Sequence, residues 1–262
     1  MGSSWLGVAV LGRGPRRGGD RLRLCDAVAI QARAMEGLYS WSYSRAREPP
    51  TLVRSRSLDD DMRGKPHTVL RATGSDVPTL AGVLARAFMD DPVASWSCRP
   101  DGLRAGVLER FNGARVRQLL AHDEVWSTPD LSCAALWAPP GRWKTTARED
   151  LELARCLLHR RLIPRLPLVV GGLVGMERRH PREEPHWYLA VLGTDPSAQG
   201  QGLGSAVLAP VLERCDEDGV GAYLESSKER NIDFYTRHGF RVTGEIRLPR
   251  GPTMWPMWRD PR

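Results

Sequence analysis

No apolar run in this 262-residue chain reaches the roughly 18 residues that a bilayer-spanning helix needs. The segment from Trp5 to Leu11 is apolar but short for the core of a secretion signal. Arg13, Arg16 and Arg17 follow it instead of preceding it, so a cytoplasmic location is expected. Cysteine is scarce and scattered. Cys25, Cys98, Cys133, Cys156 and Cys215 form no C-x-x-C pair, which argues against a disulfide framework and a zinc site. Cys133 and Cys215 lie in apolar periodic segments and read as buried thiols. No Cys has an obvious His partner in sequence, as an acyl-Cys nucleophile would want. No metal is expected.

Net charge is lacking over most of the chain, although the formal total is +7. Twelve Lys and Arg against seven Asp and Glu fall within residues 1–66, so the remainder is close to neutral. A basic protein can bind nucleic acid through its phosphates, but here that reading attaches to the first quarter only and is not favoured. Residues 1–66 show no sustained periodicity beyond one possible helix from Cys25 to Tyr39. They read as a disordered or loosely helical basic extension. Met62 is an alternative natural start. Residues 67–262 then form a single domain.

Within that domain, Asp195-Pro-Ser-Ala-Gln-Gly-Gln-Gly-Leu-Gly204 lies between an apolar strand pattern, His186 to Leu192, and an amphipathic helix pattern, Leu203 to Cys215. A strand, a glycine-rich turn and a helix start present backbone N–H groups where the helix dipole favours negative charge. The turn is a phosphate cradle by its physics. It is not a P-loop, because no Lys follows the glycines. It is not a dinucleotide fingerprint either, because the glycines fall as G-x-G-x-G at 200, 202 and 204. Downstream come a strand from Tyr223 to Ser226 and a short helix from about Asn231. Asn231 and Tyr235 are spaced i, i+4 on one helix face, and a Gly239-Phe240 turn follows.

Gln199-x-x-Gly202-x-Gly204, followed by Asn231-x-x-x-Tyr235 and Gly239-Phe240, resembles the GNAT (GCN5-related N-acetyltransferase) superfamily. The resemblance runs over about Thr68 to Arg259 and is strongest from His186 onward. It implies an α/β fold of the α+β kind: a mixed, mostly antiparallel sheet flanked by helices, with two splayed parallel strands at the CoA site. It also implies an acetyl-CoA-dependent acyltransferase that moves acetyl directly to a primary amine of a small molecule or peptide. Acetyl-CoA would be the cosubstrate, bound by Leu192, Gly193, Thr194, Gln199, Gly200, Gln201, Gly202, Leu203, Gly204, Ser205, Asn231 and Tyr235. Tyr235 would be the general acid. Glu225, on the strand beside the splay, is a candidate base, and His186 on the facing strand is another. A non-catalytic CoA-sensing or nucleic-acid-associated module is the alternative reading. Membrane attachment is not expected, and the oligomeric state reads as monomer or homodimer.

The remaining segments supply the frame. Ser75-Asp76 caps a helix from Val77 to Met89, and Asp90-Asp91-Pro92 stops it. The two carboxylates there either hold a cationic substrate or sit at a solvated helix end. Leu103 to Ala121, Arg148 to His159 and Leu166 to Met176 read as helices, and Glu124 to Ser127 with Ser132 to Ala138 as a hairpin. Pro210 should kink the helix that contains it. Pro256 lies in the last strand, Thr253 to Arg259, and implies a bulge or a break there.

Overall fold

The computed structural model describes residues 53–54, 67–98, 101–157 and 162–262. The possible helix from Cys25 to Tyr39 lies outside the described residues. Every described residue belongs to the compact unit spanning residues 39–262. In chain order the elements begin with β1 (Val53–Arg54), β2 (Thr68–Arg71), α1 (Val77–Ala87), α2 (Pro92–Ser97) and α3 (Arg104–Leu120). β3 (Val125–Ser127), β4 (Cys133–Ala138), α4 (Ala147–Cys156), α5 (Leu166–Arg179) and β5 (His186–Thr194) follow. The chain continues with α6 (Leu203–Asp218), β6 (Gly221–Ser226), α7 (Ile232–Arg237), β7 (Arg241–Val242), β8 (Ile246–Arg247) and β9 (Thr253–Arg259).

The strands form one sheet in the order β1-β2-β3-β4-β5-β6-β9-β7, with β8 also on β9. All neighbouring pairs are antiparallel except β5 and β6. The expected mixed α/β fold with a mostly antiparallel sheet is what the chain adopts. Two residues of the stretch read as an extension, Val53 and Arg54, add a short edge by pairing with Val69 and Thr68.

Both faces of the sheet are covered, which is why every residue of β4 is buried. Cys133, Ala135 and Trp137 pack beneath α6 with Val207, Leu208 and Val211. Their neighbours Ala134, Leu136 and Ala138 face Leu80 and Leu84 of α1 and Val116 and Leu119 of α3. Removing one such side chain, as in Leu208→Ala, costs about 2–5 kcal/mol. The two strand thiols behave as small core groups. Burial pushes Cys133 up to about 11 and Cys215 up to about 12.

Two local outcomes, at Asp91 and Pro256, depart from the pattern read in sequence. Asp91 does not end a solvated helix. Its buried carboxylate caps α2, accepting from Val93 N–H at 2.9 Å and Ala94 N–H at 3.0 Å. α6 continues unbroken through Pro210. β9 also runs unbroken through Pro256, in continuous register with β6 from Ala222–Arg259 to Ser226–Trp255. The Pro256 carbonyl accepts from Thr243 N–H at 2.9 Å on the opposite side. A strand residue directs its N and O to the same edge, so the missing N–H faces the gap between β7 and β8. No ladder bond is lost there.

Candidate active site

β5 and β6 pair in parallel from His186–Gly221 to Leu189–Leu224, and there the ladder stops. β5 goes on pairing with β4 as far as Thr194, and β6 with β9 as far as Ser226. The register between β4 and β5 shifts at this point. Leu136 lies opposite Val191 and Trp137 opposite Leu189, so Ala190 is the extra residue of a bulge. A bulge bends its strand and raises the local twist, which turns β5 away from β6 just where their pairing ends. Asp195 N–H donates to the Ser132 carbonyl at 2.8 Å on the β4 side. By the two-residue period, Gly193 faces β4, while Leu192 and Thr194 direct their backbone groups into the open wedge. A Cβ on Gly193 would stand 2.6 Å from Leu84 Cδ2, so this glycine also lets α1 close on the strand.

The wedge ends at the glycine turn. Asp195 opens it, accepting from Ser197 N–H at 3.0 Å and pairing with Arg86 at 2.7 Å. These partners, Ser197 first and Arg86 after it, hold its carboxyl down to about 2. Gln199 Nε2 donates to the Thr194 carbonyl at 3.2 Å and so braces the turn. Gly200 and Gly202 have φ of 76° and 79°, a region that L side chains rarely adopt. Gly202 is the left-handed cap of α6, so the N–H groups of Leu203, Gly204 and Ser205 have no acceptor within the helix. Gln201 is exposed beside them. Gly204 brings α6 close to α7, since a Cβ there would lie 3.3 Å from Phe234 Cζ. Ser205 Oγ is tied to His238 Nε2 at 2.9 Å. An anion with a narrow stem fits such a cradle: donors, dipole and an open glycine backbone converge.

The two candidate catalytic side chains lie on opposite faces of the sheet. Tyr235, on α7, is buried in the cluster that holds Leu189, Leu203, Leu224 and Phe240 beneath α6. Burial alone pushes its phenol up, and its hydroxyl has no hydrogen bond among the described residues. Asn231 is the N-cap residue of the same helix, and its side chain makes no capping bond. Glu225 follows Leu224 on β6, so its side chain alternates to the other face. There it accepts from Tyr188 Oη at 2.9 Å and stands 3.6 Å from His180 Nδ1. Its side chain is 5% exposed.

Comparison with known proteins bears on the family and the fold. The profile of the Acetyltransferase (GNAT) family matches residues 122–240, from just before β3 to the end of the turn after α7. An uncharacterized N-acetyltransferase of Schizosaccharomyces pombe is 27% identical over 195 residues, covering 69% of this chain and 76% of that protein. A Corynebacterium glutamicum structure described as histone acetyltransferase HPA2 and related acetyltransferase superposes with a TM-score of 0.54. It is 28% identical, and the match covers 74% of this chain and 96% of that one. Family profile, relative and solved structure together support the GNAT superfamily for this chain. It is an acyltransferase. A more partial match is a mycothiol acetyltransferase of Propionibacterium freudenreichii, 30% identical over 149 residues, which spans 44% of that protein.

The GNAT fold places together residues that sequence reading did not connect. His180 caps the end of α5, and its ring reaches His186 Nε2 at 2.9 Å and the Glu225 carboxylate. Trp143 stacks on the His180 ring with centroids 3.8 Å apart. Tyr188 and Tyr223 meet it edgewise at 4.8 and 4.7 Å. Nothing local marks His180, which sits between an Arg pair and Pro181. His186, the second candidate base, is turned inward. Its Nδ1 donates to the Glu184 carbonyl at 2.7 Å, and burial lowers its ring to about 4. It is neutral and tied on both sides. Asp90 pairs with Lys228 at 2.5 Å and Arg230 at 2.8 Å, while Asp91 accepts from Ser227. The acidic pair therefore fastens the loop after α1 to the loop after β6. His67 was also unmarked in sequence. Its Nε2 lies 3.5 Å from where a Gly202 Cβ would stand, beside the anion cradle.

Among the described residues, no helix is long and apolar enough to cross a membrane. No group of three or more His, Cys, Asp or Glu there is placed to hold a metal ion.

Proposed function

We propose that the protein transfers an acetyl group from acetyl-CoA directly to a primary amine of a small molecule or peptide. The observation that carries this reading is the end of β5–β6 pairing at Leu189–Leu224, a few residues before the glycine turn. A pantetheine arm is peptide-like and can supply the hydrogen bonds that the parted strands leave open, as an added strand would. The pyrophosphate then meets the N–H groups of residues 200–205. Leu192 and Thr194 N–H groups are the candidates for stabilising the oxyanion as the thioester carbonyl is attacked.

In this scheme Glu225 takes a proton from the acceptor ammonium, and the freed lone pair attacks the thioester carbon. The C–S bond breaks, and Tyr235 donates to the leaving thiolate. The second amine proton restores Tyr235, so amide and CoA thiol form with one proton released. A raised phenol keeps its proton at neutral pH until charge builds on sulfur. The acceptor enters from the Glu225 face and the CoA arm lies along the wedge, so one group works from each side. The test is release of free CoA thiol from acetyl-CoA across a panel of amines, with acetylated product identified by mass. No amine-dependent release from any small amine or peptide would remove this reading.

A further inference from the structure

The buried histidine pair is joined by hydrogen bonds whose directions can be assigned one after another. The Glu184 carbonyl can only accept, so His186 Nδ1 carries a proton across their 2.7 Å contact. A neutral His186 then offers a bare Nε2, and the burial that lowers its ring to about 4 keeps it neutral. His180 Nε2, 2.9 Å away, must be the donor. That leaves His180 Nδ1 facing the Glu225 carboxylate at 3.6 Å. A bare nitrogen opposite an ionised carboxylate would set lone pairs against each other. At that separation the contact is an ion-pair geometry and not a hydrogen bond, and a proton on Nδ1 turns the repulsion into attraction.

We propose that His180 carries this proton as an imidazolium and is the positioning residue of Glu225, holding its carboxylate ionised and oriented inside an aromatic box. Three features of the fold favour the cation. His180 stands at the C-terminal end of the 14-residue α5, where the dipole attracts positive charge. Trp143 lies flat against the ring at 3.8 Å, as a cation–π partner does. Tyr188 Oη donates to the other Glu225 oxygen at 2.9 Å, which leaves the carboxylate purely an acceptor on that side. Tyr188 and Tyr223 stay protonated, their phenols raised by burial and then by the charge of Glu225.

The charged surroundings are few. Arg115 of α3 feels Glu225 and Tyr188, with Glu149 and Asp150 of α4 also acting on it. Lys144 lies over Trp143 at 5.3 Å, and Arg178 and Arg179 are exposed on α5. Among these charges, Glu225 is the one that stands in ion-pair geometry with His180. Tyr223 Oη is a further buried polar atom beside Glu225, with no hydrogen bond of good geometry.

The kinetic consequence rests on the reading of Glu225 as base; the protonation state does not. Nitrogen NMR of the full-length protein with 15N-labelled histidine tests the latter directly. At pH 7 His186 should show a proton on Nδ1 only and His180 protons on both nitrogens. In Glu225→Gln, His180 should fall to a neutral ring protonated on Nε2. A neutral His180 in the wild-type protein would overturn the proposal, as would His180 signals unchanged in Glu225→Gln.

For the kinetics, His180→Gln removes the cation and keeps an amide donor. The acid limb of kcat/KM should then move to higher pH, with a loss of about tenfold per unit of displacement that is recovered as pH rises. A uniform loss with the limb unmoved would mean that His180 only packs, and the proposal would fail. Full turnover in Glu225→Gln, with the wild-type NMR pattern as expected, would remove Glu225 as base and leave the ion pair standing.

Discussion

Replacing Tyr235 by Phe separates chemistry from packing in this enzyme. The ring sits in the apolar cluster with Phe234 and Phe240, whose rings meet it edgewise at 5.2 and 6.0 Å. Phe keeps every one of those contacts. The hydroxyl is the only group lost, and it has no hydrogen bond among the described residues, while burial pushes its phenol up. Tyr235 Oη is not among the buried polar atoms left without a partner, so its removal leaves none unsatisfied. The variant should therefore stay within about 1 kcal/mol of the parent by urea titration. Turnover should respond differently. General acid catalysis is typically worth about 10²- to 10⁴-fold, so kcat should fall by that order with little change in the KM for acetyl-CoA. Single-turnover release of CoA thiol reads the chemical step. Turnover within about threefold of the parent in a folded variant would refute the reasoning, and Tyr235 would be packing alone. A stability loss above about 1 kcal/mol would show that the hydroxyl has a partner in the folded protein.

Gly202→Val places a β-branched side chain at a φ of 79° and beside His67, so calorimetry should show a severe loss of acetyl-CoA affinity; unchanged affinity would move the site elsewhere. Gly193→Ala drives a Cβ to 2.6 Å from Leu84 Cδ2, and overpacking of about 1–3 kcal/mol should lower Tm by about 2–4 °C per kcal/mol. An unchanged Tm would show that α1 shifts freely. His186 is held neutral with its ring lowered to about 4, so the unfolded chain binds the extra proton first as pH falls. Stability from this group is complete above about pH 6.5 and is lost down to about pH 4, up to roughly 3 kcal/mol in all. His186→Gln should flatten that slope in urea titrations, and an unaltered slope would count against the assignment. A chain starting at Met62 loses the Val53–Val69 and Arg54–Thr68 pairing. It should keep its acetyl-CoA affinity and lose at most a few degrees of Tm, and a larger loss would place more of residues 1–61 in the domain.

The glycine turn was legible in sequence because its parts are local. Positive φ at residues 200 and 202, a helix start at 203 and the i, i+4 pair Asn231 and Tyr235 are all set by neighbours within a few residues. Glycine alone tolerates such backbone, so the residue type carries the geometry. Strand and helix order was equally visible from periodicity, since each element buries a face that repeats along the chain. The bulge at Ala190 was a different matter. It arises from the register between β4 and β5, which side chains 55 residues apart decide together. Asp91 looked like a helix stop and proved to be the buried start of α2.

The buried cluster around Glu225 was the least legible part. His180 ends a helix, His186 begins one strand, Glu225 ends another, and Trp143 sits on a loop. No spacing rule connects them. Sequence by itself determined where the chain turns through left-handed glycines into a helix, because backbone conformation is a short-range property. Only the tertiary structure decided where a proton could rest, because a buried proton is fixed by partners that folding brings together from distant positions.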